Sequence, residues 1–277
     1  MSLWTTERIG SAPTIAVDHV GNGELVMFLH GIGGNKRNWH VNLPAFGEHW
    51  HAVAWDARGY GESDDYEGAL DFLDYSRDVI RVLDHFGASK AHIVGLSMGG
   101  RIALDFAALY QHRLLTLTLC DTHTGFAHFS DEKKRDFIRM RKEPLENGLS
   151  PRDIAVPVAR SLCGPNASTA AFDALVDSLS RLHKESYIKC IESSTMAGVH
   201  GRLSDIKVPT HVMVGSEDRL TTPEMCRGLA SQIPGATLTV IPDAGHLINI
   251  ERPVEFNAAA ISFIKSRSRQ TTATDSA

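Results

Sequence analysis

Residues 92–104, HIVGLSMGGRIAL, place one serine between glycines where one apolar run ends and another begins. The first run is short and predicts a β-strand, whereas residues 98–109 have the length and composition of a helix. Glycines on both sides of Ser97 remove side chains that would clash as the strand reverses into the helix. The turn would then project the Ser97 hydroxyl above the carboxyl end of the strand. The alternative is that Ser97 only caps the helix.

The rest of the chain repeats this alternation of short apolar runs with amphipathic runs of helical length. Strands are predicted at residues 14–20, 25–29, 53–55, 91–94, 115–119, 208–214 and 237–241. Helices are predicted between them, for example at residues 72–86, 223–232 and 253–265. This order indicates an α/β protein whose mostly parallel sheet is covered by helices on both faces. The glycines of Gly21-Asn22-Gly23 predict a β-hairpin that joins the first two of these strands.

One segment, residues 122–203, contains no predicted strand. It contains four predicted helices, at residues 131–142, 152–162, 171–181 and 184–196, separated by Pro, Gly and Asn. We therefore predict a core domain made of residues 1–121 and 204–277, with residues 122–203 inserted as a helical cap. An insertion after a strand's carboxyl end lies where open α/β sheets bind ligands.

Composition narrows the classes of partner. The formal net charge is −5 and the sequence pI is near 6.3, which gives no electrostatic reason to expect nucleic acid or an anionic membrane. The four cysteines are scattered and form no C-x-x-C pair. The first residues lack the basic and apolar regions of a secretory signal, and no apolar run approaches membrane-spanning length. These features predict a cytoplasmic protein with reduced thiols.

A serine hydroxyl needs a base to act as a nucleophile near neutral pH, and the base needs an orienting acid. Of the fourteen histidines, His246 is favoured because it follows the strand at 237–241 in the loop IPDAGH. Asp218 follows the strand at 208–214 and is favoured as the acid. Asp121, at the end of the strand at 115–119, is its rival. No histidine forms H-E-x-x-H or another metal-ligand spacing, so no metal site is expected.

The order Ser97, Asp218, His246 on alternating strands and helices resembles the α/β-hydrolase superfamily. The resemblance extends over nearly the whole chain, through the motifs HGIGG, WDARGYGES, GLSMGG, GSEDRLTTP and DAGHLINIERP. It implies a twisted sheet of about eight strands and a Ser-His-Asp triad. It also implies an oxyanion hole formed by the backbone N–H groups of Ile32 and Met98.

Other matching residues are expected to shape the fold. His30, in HGIGG, is interpreted as a loop-shaping residue. Asp56 and Arg58 match the family's D-x-R-G-x-G motif and are interpreted as structural. The pocket walls are predicted to include Trp39, Met98, Phe126, Phe129 and Leu247, although each of these could simply pack in the core.

The nucleophile narrows the expected chemistry. Haloalkane dehalogenases and epoxide hydrolases of this fold use aspartate where this chain has Ser97, so both classes are disfavoured. The stretch GHLINIERPVEFN resembles the 3-oxoadipate enol-lactonase-like branch. Carbon–carbon hydrolases of this fold usually carry tryptophan after the catalytic histidine, whereas Leu247 and Ile248 follow here.

The expected activity is therefore a cofactor-free serine carboxylesterase acting on a small-molecule ester or lactone. The alternatives are an enol-lactonase or other lactonase, a carbon–carbon bond hydrolase in aromatic degradation, and a perhydrolase. A further alternative is a small-molecule receptor built on the same fold.

Overall fold

Eight strands form one sheet in the order β1-β2-β4-β3-β5-β6-β7-β8 in the computed structural model, which describes residues 3–126 and 129–274. The strands are β1 (Thr5–Ile9), β2 (Ile15–Val20), β3 (Leu25–Leu29), β4 (His51–Trp55), β5 (Ala91–Leu96), β6 (Leu114–Cys120), β7 (Thr210–Gly215) and β8 (Thr237–Ile241). Neighbouring strands from β4 to β8 are parallel, whereas β1 and β2 run antiparallel to their neighbours. The predicted mostly parallel sheet of about eight strands is confirmed.

Within the described residues, ten α-helices connect or cover these strands. They are α1 (Leu43–Gly47), α2 (Leu73–His85), α3 (Met98–Tyr110), α4 (Asp131–Glu146), α5 (Pro151–Leu162), α6 (Thr169–Ser180), α7 (Lys184–Met196), α8 (Pro223–Gln232), α9 (Ile248–Glu251) and α10 (Pro253–Thr274). None of the helices in the described ranges is long and apolar enough to cross a membrane. The central strands β3 and β5 are buried along their whole length, as expected for parallel strands covered on both faces.

The predicted hairpin between the second and third strands is wrong. Strand β2 pairs with β1 and β4, and β4 lies between β2 and β3 in the sheet. Gly21 and Gly23 do have positive φ angles, of 81° and 96°. Gly21 packs against the backbone of Gly47 and Trp50, the segment that leads into β4. The connection from β2 to β3 therefore passes β4 instead of forming a tight turn between neighbouring strands. The antiparallel hairpin is formed by β1 and β2.

Helices α4 to α7 all lie between β6 and β7 in the chain. Within this group α4 packs on α7 and α5 packs on α6. Hydrogen bonds join them to the sheet layer; for example, Asn38 Nδ2 donates to Ser178 Oγ on α6 at 2.9 Å, and Arg101 on α3 donates to the carbonyl of Ser194 on α7 at 2.6 Å. The insertion is thereby anchored beside the carboxyl ends of the central strands.

Candidate active site

Ser97 lies at the turn between β5 and α3 with φ 54° and ψ −113°. A non-glycine residue in this region is strained and persists only when its surroundings hold it in place. The Ser97 N–H donates to the carbonyl of Cys120 on β6 at 2.8 Å, and the Thr122 hydroxyl donates to the Ser97 carbonyl at 2.7 Å. The neighbouring strand therefore fixes the backbone on both sides of the hydroxyl.

The glycines of the motif are required by close backbone contacts. A Cβ atom on Gly95 would overlap the carbonyl of Gly99, and a Cβ atom on Gly99 would overlap the carbonyl of Leu29 on β3. Strand β5 can reverse into α3 this tightly only when both positions lack side chains. The geometry inferred from the spacing around Ser97 is thus present, and Ser97 does not cap α3 through its side chain.

Ser97, His246 and Asp218 form one chain of hydrogen bonds. His246 Nε2 lies 2.9 Å from Ser97 Oγ, and His246 Nδ1 lies 2.8 Å from Asp218 Oδ2. A carboxylate only accepts, so Nδ1 carries the proton and Nε2 is left to accept from the serine hydroxyl. The structure brings together the three residues that the sequence selected.

Asp218 is buried and fully hydrogen-bonded. Its Oδ1 accepts the N–H groups of Leu220 and Thr221, and its Oδ2 accepts the Thr221 hydroxyl at 2.6 Å as well as His246. Burial alone would raise the pKa of Asp218, but His246 and the Thr221 donors outweigh it, so the pKa lies below its ordinary value. Asp218 is therefore held as a carboxylate.

The rival aspartate has a different role. Asp121 is fully buried, and its two oxygens accept the N–H of Gly215 at 2.9 Å and the N–H of Ile248 at 3.2 Å. Burial and the nearby charge of Asp218 raise its pKa well above the ordinary value. Asp121 thus joins the end of β6 to β7 and to the segment after His246, without contacting the imidazole.

A second buried carboxylate holds the His246 loop. Glu251 accepts the N–H groups of Gly245 and Leu247, on either side of His246, and also that of Gly164 just after α5. The His246 N–H donates to the carbonyl of Leu162 at the end of α5. His246 is therefore held between α9, which carries Glu251, and the helical insertion.

The N–H groups of Ile32 and Met98 lie on the segments that flank Ser97. In the described part of the chain neither N–H donates to a protein acceptor. The loop that carries Ile32 is held by His30, whose Nδ1 donates to the Gly31 carbonyl at 2.8 Å while its Nε2 accepts the Ala57 N–H at 3.1 Å. Both nitrogens are thereby used inside the loop, and burial lowers the pKa of His30.

The D-x-R motif forms buried ion pairs away from the serine. Asp56 accepts from the backbone N–H of Lys36 and from its ammonium, and Arg58 forms a two-point pair with Asp78 on α2. These contacts fix the loops after β3 and β4, in line with the structural interpretation of both residues.

Two cavities meet at Ser97. The smaller, of about 40 Å³, is lined by Trp39 and Leu247. The larger, of about 190 Å³, lies against the helical insertion and is lined by Met98 and Phe126. Of the five predicted pocket residues, Phe129 lines neither cavity in the described part of the chain; its ring packs against Phe126 with centroids 5.5 Å apart.

Several residues at the site were not singled out from the sequence. Thr221 contacts Asp218, Glu251 holds the His246 loop, and Arg101 and Arg141 line the larger cavity. Only Thr221 had a local signal, because a threonine three residues after an aspartate often closes a turn by a side-chain hydrogen bond. The described residues contain no cluster of His, Cys, Asp or Glu placed to hold a metal ion.

Comparison with known proteins identifies the family of the chain. Residues 24–253 match the family model of the alpha/beta hydrolase fold. The chain is 27% identical to 3-oxoadipate enol-lactonase 1 of Acinetobacter baylyi over 96% of this chain and 97% of that protein. It is 28% identical to a 2-hydroxy-6-oxononadienedioate/2-hydroxy-6-oxononatrienedioate hydrolase of Burkholderia vietnamiensis, over 92% of each chain.

Solved structures give the same result. A thermophilic esterase from Thermogutta terrifontis, with malate bound, is 25% identical and superimposes with a TM-score of 0.85, covering 95% of this chain and 98% of that chain. The enol-lactonase of Burkholderia xenovorans is 24% identical with a TM-score of 0.81, covering 94% and 100%. With the serine turn, the parallel sheet and the family match over most of its length, the chain belongs to the α/β-hydrolase fold family.

Proposed function

We propose that the protein is a serine hydrolase that cleaves carboxylic esters of small molecules through an acyl-enzyme on Ser97. The observation that carries the proposal is the continuous hydrogen-bond chain from Ser97 Oγ through His246 to Asp218, at 2.9 and 2.8 Å. Its serine opens onto two cavities, so an ester bond at Ser97 could place its acyl and alcohol parts in different cavities.

The first half of the reaction follows from the directions of these hydrogen bonds. Ser97 Oγ attacks the acyl carbon while His246 Nε2 takes the hydroxyl proton. Asp218 keeps the imidazole in the required tautomer and stabilises the imidazolium that forms. The N–H groups of Ile32 and Met98 would receive the negative charge on the carbonyl oxygen, each lowering the barrier by about 3 kcal/mol.

The second half uses the same groups in reverse order. His246 gives its proton to the leaving alcohol, and the alcohol departs from the acyl-enzyme. Water then attacks the acyl carbon while His246 acts as base, which restores the Ser97 hydroxyl. No step draws on a group outside the chain and the water.

A lactone is the second candidate substrate class, favoured by the similarity to enol-lactonases over nearly the full length. The bond changes are the same, but the alcohol stays attached to the acyl group after ring opening. Leu247 and Ile248, in place of a tryptophan after the histidine, still weigh against carbon–carbon cleavage. Perhydrolysis would need peroxide to replace water at the second step.

The test is steady-state hydrolysis of p-nitrophenyl esters from acetate to decanoate, with five- and six-membered lactones followed by pH-stat. We expect multiple turnovers for the wild type and a fall in kcat of about 10⁴-fold or more for Ser97→Ala. Ser231→Ala, which removes an exposed hydroxyl on α8 that donates to the Gly228 carbonyl, is the matched control.

Each outcome decides between the candidates. A single burst equal to the enzyme concentration would favour a receptor with vestigial hydrolysis. Faster opening of lactones than of esters would favour the lactonase. Turnover that survives Ser97→Ala would overturn the mechanism, and failure to label Ser97 with an organophosphate, read by mass spectrometry, would do the same.

A further inference from the structure

The lining of the larger cavity, among the described residues, contains arginine but no acidic residue. Of its 17 lining residues in the described part of the chain, two are arginines, Arg101 and Arg141, and none is Asp or Glu. The chain as a whole carries a net charge of −5. The cavity therefore has the opposite sign to the protein around it, and a low-dielectric cavity of one sign favours a ligand of the other.

The two arginines differ in how far the protein uses them. Arg101, on α3, donates to the carbonyls of Ser194 at 2.6 Å and Ala197 at 3.1 Å. It thereby ties the end of α7 to the helix that follows Ser97. Two of its five N–H donors are thus used by the fold, and Arg101 also lines the cavity.

Arg141, on α4, is partly buried and has no carboxylate partner within ion-pair distance among the described residues. Its guanidinium carbon lies 3.4 Å from the centre of the Phe137 ring, which also lines the cavity. Its one hydrogen bond within the described part of the chain is a long one, from Nη1 to the Phe137 carbonyl at 3.4 Å. Most of its five N–H donors are therefore left for another acceptor.

Its neighbours on α4 show the reverse pattern. Arg139 is exposed and pairs with Asp136 at 3.0 Å, and Lys142 pairs with Glu192 at 2.9 Å and Glu146 at 3.3 Å. Buried charges are normally paired, whereas exposed ones need no partner. Outside the cavity Lys134, Arg139 and Lys142 each have a carboxylate partner, whereas Arg141 inside it has none among the described residues.

We propose that Arg141 binds a carboxylate of the substrate, so that the enzyme acts on esters or lactones that carry a second, free carboxylate. The proposal rests on the hydrolase function proposed above and names its substrate class. The guanidinium fork matches the two oxygens of a carboxylate, and stacking on Phe137 fixes the plane of the fork. The anionic group enters the cavity on the side of the helical insertion, while the scissile bond lies at Ser97.

The kinetic test compares monoethyl esters of succinate, glutarate and adipate with the corresponding diethyl esters, and acetates of ω-hydroxy acids with their methyl esters. We expect the wild type to prefer the monoanion of one series. For that substrate Arg141→Met should raise KM about 10- to 100-fold, and kcat should change by less than about threefold. The neutral partner ester should be unaffected.

Two variants control for structure and charge. Arg141→Lys keeps the charge but not the fork and should lie between the wild type and Arg141→Met. Arg139→Met removes an exposed arginine from the same helix and should change neither KM. A merely structural role of Arg141 would instead weaken the anionic and neutral substrates equally, which would overturn the proposal, as would a wild type with no preference for the monoanion.

A binding experiment separates this proposal from the hydrolase function. Glutarate binding to Ser97→Ala is measured by calorimetry, with and without Arg141→Met, and needs no turnover. Binding that is lost with Arg141→Met supports the anion site even if no ester is hydrolysed. Hydrolysis of neutral esters without any glutarate binding would support the proposed hydrolase function and contradict the proposed anion site.

Discussion

The ends of β6 and β7 each carry a buried aspartate, yet only one of them touches the imidazole. Asp218 gives one oxygen to His246 Nδ1, whereas Asp121 gives both oxygens to backbone N–H groups of Gly215 and Ile248. Asp121 holds the backbone framework in which Asp218 and His246 meet. Of these two aspartates on adjacent strand ends, Asp218 thus orients His246 and Asp121 positions the loops.

The two sites also differ in charge. His246 and Thr221 keep Asp218 ionised, whereas Asp121 has no cationic partner among the described residues and lies near the Asp218 charge. Burial opposes ionisation at both positions, but only at Asp218 do the neighbours outweigh it. At Asp121 the N–H groups of Gly215 and Ile248 do not outweigh burial and the nearby charge of Asp218.

The strongest test of this contrast is the pair Asp218→Asn and Asp121→Asn. Asp218→Asn should lower kcat by about 10⁴-fold, because an amide no longer selects the tautomer that leaves Nε2 free to accept. Asp121→Asn keeps the imidazole contacts and should lower kcat by no more than about tenfold. Steady-state kinetics on the best ester would measure both. Equal losses would mean that the two carboxylates act as one unit.

A finer test addresses the Thr221 hydroxyl, which donates to the same Asp218 oxygen as His246. Thr221→Val should lower kcat about tenfold, since one hydrogen bond to a charged group is lost beside the base. Thr221→Ser keeps the hydroxyl and should retain most of the activity. A valine variant as active as the serine variant would show that the backbone amides of the loop suffice.

The smallest expected effect is on stability against pH. The lowered pKa of Asp218 means that its stabilisation is present above its unfolded pKa of about 3.9 and is lost as the pH falls through the folded value. The raised pKa of Asp121 makes its contribution to stability change with pH in the opposite direction. Its contribution is full below about pH 3.9 and is lost as the pH rises through the folded value.

Urea unfolding of both asparagine variants and the wild type between pH 3.5 and 8 would measure this. The stability advantage of wild type over Asp218→Asn should grow with pH only up to about pH 5 and then level off, and that over Asp121→Asn should shrink as the pH rises above about 3.9. The two slopes should differ by about 1 kcal/mol per pH unit where they diverge most. Parallel slopes would contradict the assigned charge states.

The sequence predicted the serine turn well because that geometry is local. Gly95 must lack a side chain because it lies against the backbone of Gly99, and Gly99 because it lies against Leu29 of β3. Both glycines are part of the sequence motif, so the motif predicts the turn directly. Asp218 was preferred to Asp121 on the order of elements alone, and both residues are polar groups at strand ends. Which of them faces His246 depends on the loop that Thr221 closes, a contact that only the folded chain displays.

Non-local features were harder to predict. The Gly21–Gly23 segment has the signature of a hairpin, but where the chain goes next is set by the close approach of Gly47 and Trp50. Arg141 lies in the basic run KKRDFIRMRKE, which has the composition of a solvated helix face. Its burial is decided by how α4 packs on α7, so the lack of a carboxylate partner for its guanidinium among the described residues could not be inferred from the pattern.

The Glu251 carboxylate has a consequence for exchanging parts between members of this fold. One oxygen of Glu251 accepts both the N–H of Gly245, which precedes His246, and the N–H of Gly164, which follows α5. The other oxygen accepts the N–H of Leu247, which follows His246. A helical insertion transplanted from a relative would therefore replace the Gly164 segment, which contacts Glu251 of the core. Grafts that retain residues 162–164 of the recipient should preserve the alignment of the histidine, and substrate range can then be changed through the rest of the insertion.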